Sequence, residues 1–277
     1  MPRALYPPSR PQAVAEVLDS AFRIYRASLV PCLPHGLAVT LAGQLANIYA
    51  IARRRPLHGF GGHEPLWWVL SAVGACMALA AINATVIRQH AISIGSPRAA
   101  GNEVKQALLR LPASLAVSCL VCLAVAACFA PLLAVPRAYG PVAVSILTFP
   151  ATYLAVALSC VWMNVLLGEC GPWAAIRQSL RLVRGNWWRT TAVYTVAVAT
   201  LSVFFVLAGM IVGFLSLLLG IADFAVMTAA TQVTAVALVA AAIPFYSAIA
   251  LAVYGDLQGR RSGTDLEQRI ADIPASG

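Results

Sequence analysis

Residues 187–254 read WWRTTAVYTVAVATLSVFFVLAGMIVGFLSLLLGIADFAVMTAATQVTAVALVAAAIPFYSAIALAVY. Only Arg189 and Asp223 are charged in these 68 residues. A bilayer-spanning helix needs about 20 largely apolar residues. The stretch is too long for one span and sufficient for two. Gly220 and Asp223 mark the turn, because glycine ends helices and aspartate begins them. The predicted spans are 187–219 and 223–254, with Asp223 as a cap at the second helix start.

Working back along the chain, the same pattern recurs. Residues 31–52 are apolar and closed by Arg53, Arg54 and Arg55. Residues 66–87 stop at Arg88, 112–135 end before Pro136 and Arg137, and 141–167 form a fourth run. Six transmembrane helices follow, making an all-α integral membrane helical bundle over 13–254. A Pro-rich, flexible N-terminal tail is expected at 1–12 and a cytoplasmic C-terminal tail at 255–277. Composition agrees: 60% of the 277 residues are hydrophobic and 10% charged, against about 45–50% and 25% in soluble domains. That excludes a soluble enzyme. Seven cysteines are too dilute for a secreted disulfide scaffold. No short apolar run with a small-residue cleavage site follows the start, so no cleavable signal peptide is expected.

The net charge of +9 lies in short loops rather than in a nucleic-acid-binding patch. Fifteen of the 19 Lys and Arg residues fall in the segments before span one, after spans two and four, and after span six. The positive-inside rule then places both termini in the cytoplasm. Each basic segment also reads as a short amphipathic helix. Glu16, Asp19, Arg23 and Arg26 oppose Val17, Phe22 and Tyr25. Glu103, Gln106 and Arg110 oppose Val104 and Leu108. Arg177, Arg181 and Arg184 oppose Ile176, Leu180 and Val183. Such helices lie in the interface with arginines among lipid phosphates. The strings FRIYRASL and LRLVRGNW share register, so the bundle reads as three amphipathic-helix-plus-hairpin units. Positive-inside bias alone would also produce basic edges at these places.

EVLDSAFRIYRASL, AAIRQSLRLVRGNWWR and the closing YGDLQGRRSGTDLEQR together resemble the bacterial membrane-domain family named after glycerophosphodiester phosphodiesterases, and related six-span families. The terminal signature places Tyr254, Asp256, Leu257, Gly263, Asp265, Leu266 and Glu267. Gln258 stands where the family usually has arginine, which argues against a fixed Asp–Arg pair there. The resemblance implies a six-span module in a bacterial inner membrane. Some relatives carry a soluble phosphodiesterase domain; only 23 residues follow Tyr254 here, so no such activity is expected.

Other candidates have both a chemical and a structural reading. His58, His63 and Glu64 would suit a metal ion but sit in a glycine-rich stretch and read as a polar loop. Cys119 and Cys122 form CxxC inside an apolar run, where cysteine acts as a small hydrophobe. Gln44, Asn47, Asn83, Asn164 and Gln232 would line a transport path or make interhelical hydrogen bonds. Gly209 and Gly213 form GxxxG. Glu103 and Glu169 would pair with Arg110 and Arg177. No cofactor is expected. The expected function is a non-catalytic interaction or assembly module. Its surface for lipid and for a membrane or cytoplasmic protein partner is Arg23, Arg26, Arg110, Arg177, Arg181 and Arg184. The alternative readings are a transporter of a lipid or small amphiphile and a phospholipid-headgroup enzyme.

Overall fold

The computed structural model describes residues 6–8, 11–52, 65–96, 100–136, 139–168, 170–220 and 223–262. Among these residues the regular structure is entirely helical. In chain order the α-helices are α1 Val14–Gly43, α2 Leu45–Ala52, α3 Pro65–Ser93, α4 Ala100–Leu109, α5 Leu111–Cys128, α6 Gly140–Ala157, α7 Val161–Leu167, α8 Pro172–Val183, α9 Trp187–Leu218 and α10 Phe224–Ser262. A 3-10 turn, Ala130–Ala134, follows α5.

Five stretches are long and apolar enough to cross a bilayer: Pro65–Ser93, Leu111–Cys128, Gly140–Leu167, Trp187–Leu218 and Val226–Arg261. The chain is therefore a multi-pass membrane helical bundle. Gly220, with φ of 62°, ends α9 in the left-handed conformation that glycine tolerates without strain. Asp223 directly precedes α10, and its carbonyl accepts the Met227 N–H.

The first expected span departs from the sequence reading. Its residues are helical in α1 and α2, but they are interrupted by Pro31, Pro34, His35 and Gln44 and are not among the five strongly apolar stretches. The amphipathic segment before it is also not a separate helix. α1 runs unbroken from Val14 through both prolines. It starts where the Glu16 carboxylate accepts the Ala13 N–H at 2.8 Å, one half of a capping box. Proline within a helix is tolerated when packing satisfies the freed carbonyls. The second and third units do carry separate amphipathic helices, α4 and α8.

The core forms where α1 crosses α10 and α3. Val17, Ala21 and Ile24 of α1 are buried with Ile249, Leu251 and Tyr254 of α10. The crossing is close because Gly36 has no side chain. A Cβ there would collide with the Ala240 carbonyl oxygen. That carbonyl lies four residues before Pro244, so it lacks its usual helical donor and turns toward the Gly36 backbone. Gln89 of α3 closes the same junction, donating to the Ser28 hydroxyl at 3.1 Å and to the Pro244 carbonyl at 2.7 Å. α9 lies outermost: 6% of its apolar window is buried, against 56% for α10.

The N-terminal tail is not wholly flexible. Tyr6 is buried against Gly255 of α10. Its ring meets His90 edge-on at 5.2 Å, and its hydroxyl donates to Gln258 Oε1 at 3.4 Å.

Candidate functional site at the arginine-bearing end

The N-terminal segment, the end of α3, α4, α8, the start of α9 and the end of α10 converge at one end of the bundle. Asp256 ties three of these together and is 3% exposed. Its Oδ1 accepts the Gln12 N–H at 2.8 Å. Its Oδ2 accepts from Arg260 Nε at 3.1 Å and lies 3.2 Å from Arg189 Nη2. Arg260 Nη2 also donates to the Gln12 carbonyl at 2.9 Å. The sequence reading argued against a fixed Asp–Arg pair because position 258 is glutamine. That argument concerned position 258 alone; in the structure the Asp256 carboxylate pairs with Arg260 and Arg189 instead. Residues four apart share a helix face and residues two apart do not, so Arg260 rather than Gln258 reaches Asp256. Gln258 serves Tyr6 instead. Burial pushes the Tyr6 phenol pKa up, with Tyr254 and Cys160 adding to the shift. Tyr254, Asp256 and Leu257 are all buried. Gly263, Asp265, Leu266 and Glu267 lie outside the described residues, as do His58, His63, Glu64 and Glu169.

The basic residues divide into two groups. Arg23, Arg26, Arg177, Arg181 and Arg184 are exposed. Arg23 pairs with Asp19 at 2.6 Å in solvent. Arg177 lies over the Trp173 ring at 5.3 Å. The Arg181 carbonyl accepts from the Arg261 guanidinium. Arg88, Arg189 and Arg260 instead serve buried carboxylates. Glu103 is 1% exposed and pairs with Arg88 at 2.9 Å, not with Arg110 as its spacing on α4 predicted. The connection from α3 to α4 is short, so the first turn of α4 faces the last turns of α3. Arg110 is half-buried and donates to the Val165 carbonyl of α7 at 3.4 Å.

Polar residues in the spans have distinct fates. Asn83 is buried, donates to the Ser114 hydroxyl at 2.8 Å and accepts from Trp162 Nε1 at 2.9 Å. Asn164 is buried and donates to the Ala175 carbonyl at 3.3 Å. Gln44 accepts from Asn47, and Gln232 is exposed. Cys119 and Cys122 are exposed free thiols on α5, and Cys32 and Cys160 are buried. A Cβ at Gly209 or Gly213 would meet nothing within 4 Å, so GxxxG makes no close helix contact among the described residues. Among these residues no cluster of three metal-ligating side chains occurs.

Two cavities lie along α3 and α7. The inner one, about 650 Å³, is apolar, and its lining includes Leu79, Val86, Trp162, Met163, Tyr194 and Tyr246. The outer one, about 350 Å³, lies nearer the arginine-bearing end and brings together His90, Gln106 and Arg110 with Ile87, Leu109 and Leu166.

Gln89, the Arg88–Glu103 pair, and the meeting of His90 with Gln106 were not singled out in the sequence as site residues. The apolar run stops at Arg88, so Arg88-Gln89-His90 reads as loop. The signal that could have found them is the helical spacing of Ile87, Ala91 and Ile94, which continues the α3 face past Arg88. The chain matches no protein-family model, no curated protein and no solved structure.

Proposed function

We propose that this chain is a non-catalytic bacterial inner-membrane module. Its arginine-bearing end faces the cytoplasm, engages anionic lipid headgroups and serves as a platform for a membrane or cytoplasmic protein partner. The observation that carries this reading is the division of the arginines. Five of the six residues expected to form the surface are exposed, while Arg88, Arg189 and Arg260 act as internal counter-ions. Each exposed basic residue near an anionic surface contributes about 1 kcal/mol. Acid–base catalysis needs convergent titratable groups with suitable pKa values. Here the buried carboxylates Glu103 and Asp256 are each held by arginine.

The test replaces Arg23, Arg26, Arg177, Arg181 and Arg184 with Gln. The variant and wild type are extracted gently from their own membrane, and co-purifying lipid and protein are measured by native mass spectrometry. Fewer anionic lipids and loss of a stoichiometric protein partner are expected. Unchanged lipid and partner content would overturn the proposal.

The inner cavity supports a second reading, carriage of a lipid or small amphiphile. Its volume of about 650 Å³ falls in the range of ligand sites. Reconstituted liposomes report on this directly. Flux of a labelled amphiphile that falls on filling the cavity, as with Ala78→Phe, would support it. Absence of flux in the unmodified protein would end it.

A further inference from the structure

We infer that the inner cavity, between α3, α5, α7, α9 and α10, is a binding site for one uncharged lipid with a hydroxyl head, taken directly from the bilayer. The inference deepens the second reading above by naming the ligand class, and it rests on that reading in treating this cavity as a lipid site.

Three observations carry it. First, the cavity of about 650 Å³ has no Asp, Glu, Lys, Arg or His in its lining. An ion brought there would lose its hydration and meet no counter-ion, which is strongly unfavourable. A phosphate or carboxylate head therefore belongs at the arginine-bearing end and not here. Second, the cavity holds an unsatisfied hydroxyl. Ser247 lines it and is 5% exposed, yet it makes no hydrogen bond among the described residues. Every other buried Ser and Thr among the described residues donates to a backbone carbonyl. The carbonyl three residues before Ser247, that of Pro244, already accepts from Gln89 at 2.7 Å. Buried polar groups are nearly always paired. A lipid hydroxyl supplies both the donor and the acceptor that a serine hydroxyl can use. Tyr246, also in the lining, adds a phenol with no hydrogen bond among the described residues. Its ring lies 5.9 Å from that of Tyr194.

Third, the mouth opens on the bilayer. Ala75, Cys122 and Ala155 of the lining are exposed, and Tyr246 is half exposed. All four belong to stretches apolar enough to cross a membrane, so the ligand arrives from lipid rather than from water. The deeper walls, at Leu79, Val86 and Met163, are buried and apolar and suit its chain. Trp162 completes them with its indole held by Asn83 at 2.9 Å. The volume is that of ligand sites.

The test uses hexadecanol carrying a diazirine on its chain. Full-length protein in neutral detergent is photolabelled with it, and labelled positions are mapped by peptide mass spectrometry. Unlabelled hexadecanol, hexadecane and hexadecyl phosphate are the competitors. They share a chain and differ only in the head. Wild type, Ala78→Phe, Ser247→Ala and the five-arginine surface variant are compared.

Saturable labelling of the α7 and α10 walls is expected in wild type and in the surface variant. Hexadecanol should displace the probe at a concentration at least tenfold below hexadecane or hexadecyl phosphate. Ala78→Phe should abolish the labelling by filling the cavity. Ser247→Ala should weaken hexadecanol about three- to tenfold, the worth of one neutral hydrogen bond, and leave hexadecane unchanged. Ser247→Ala removes a single oxygen, so it keeps the test decisive if Ala78→Phe fails to fold. Absence of saturable labelling in wild type, or an unchanged hexadecanol preference in Ser247→Ala, overturns the inference. Equal potency of the three competitors also overturns it, while liposome flux would still leave unselective carriage standing. Selective hexadecanol binding without flux does the reverse: the site stands and carriage ends.

Discussion

Replacing Asp256 with Asn isolates the charge of the buried carboxylate from its shape. The amide oxygen can still accept the Gln12 N–H, now 2.8 Å from Oδ1. The lost quantity is the negative charge between Arg189 and Arg260, whose side chains are 21% and 27% exposed. Removing one partner of a buried pair costs about 3–5 kcal/mol. The remaining exposure of both guanidinium groups lets water screen them, so we expect about 2–3 kcal/mol. That is roughly a 30- to 150-fold fall in the folding equilibrium. The assay is SDS-titrated unfolding in mixed micelles, followed by tryptophan fluorescence, on wild type, Asp256→Asn, Arg189→Gln and the double variant. The double variant should lose less than the sum of the singles, because Arg189→Gln removes one of the orphaned charges. Asp19→Asn is the control. Its pair with Arg23 is 58–66% exposed, and such pairs contribute about 0.3–0.5 kcal/mol. If Asp256→Asn costs no more than Asp19→Asn, or if the singles add, the carboxylate does not organise this end of the bundle.

Gly36→Ala should be strongly destabilising, by more than about 3 kcal/mol, because its Cβ would strike backbone at Ala240 and backbone cannot rotate away as overpacked side chains do. Gly213→Ala, with open space around its Cβ, should be neutral or stabilising by up to about 1 kcal/mol; SDS-titrated unfolding distinguishes the two. Asn83→Leu should cost about 1–3 kcal/mol by taking away the hydrogen bonds that the buried amide makes to Ser114 and to the half-buried Trp162 indole, with a shifted tryptophan emission as the specific readout. For Tyr6, burial favours the neutral phenol, so its folded-state pKa lies above the unfolded value. The stability from docking is complete below the ordinary tyrosine value near 10 and is lost as pH rises through the folded value. The phenolate absorbance difference between wild type and Tyr6→Phe should therefore develop at higher pH than that of a free tyrosine; an ordinary titration would mean that Tyr6 is undocked.

The spans were legible because a bilayer imposes a length and an apolar composition on each segment separately. Residues 187–254 contain that information without reference to any other part of the chain. The turn at Gly220 was legible for the same local reason. Helix rotation was not. Gln89 and Gln232 are the same residue type in the long helices α3 and α10, yet one is buried and one exposed. What distinguishes them is the crossing of α1 with α10, fixed by Gly36 and by a carbonyl that Pro244 leaves without a donor. No local pattern reports a pairing across about 200 residues. Asp256 shows the same limit. Its motif position was readable, but its partner Gln12 lies 244 residues away. The exposed arginines followed amphipathic spacing. Arg110 shared that spacing yet turns toward α7, because the neighbour it meets is set by the bundle rather than by α4.

The junction of α1 with α10 also has a consequence in time. A ribosome adds about 5–20 residues per second. Gly36 is thus made roughly 10–40 s before Ala240, the residue against which it packs. During that interval α1, the least apolar of the membrane helices, has α3 as its early neighbour and lacks the partner that covers its other face. Phe22 and Tyr25, which pack on Phe245 of α10, and Gly36, which packs on Ala240, would face lipid, water or a helper protein until α10 emerges. Membrane insertion of this chain is then a process in which the earliest helix is the last to be secured, and a nascent chain halted before residue 224 would be a ready substrate for quality-control proteolysis.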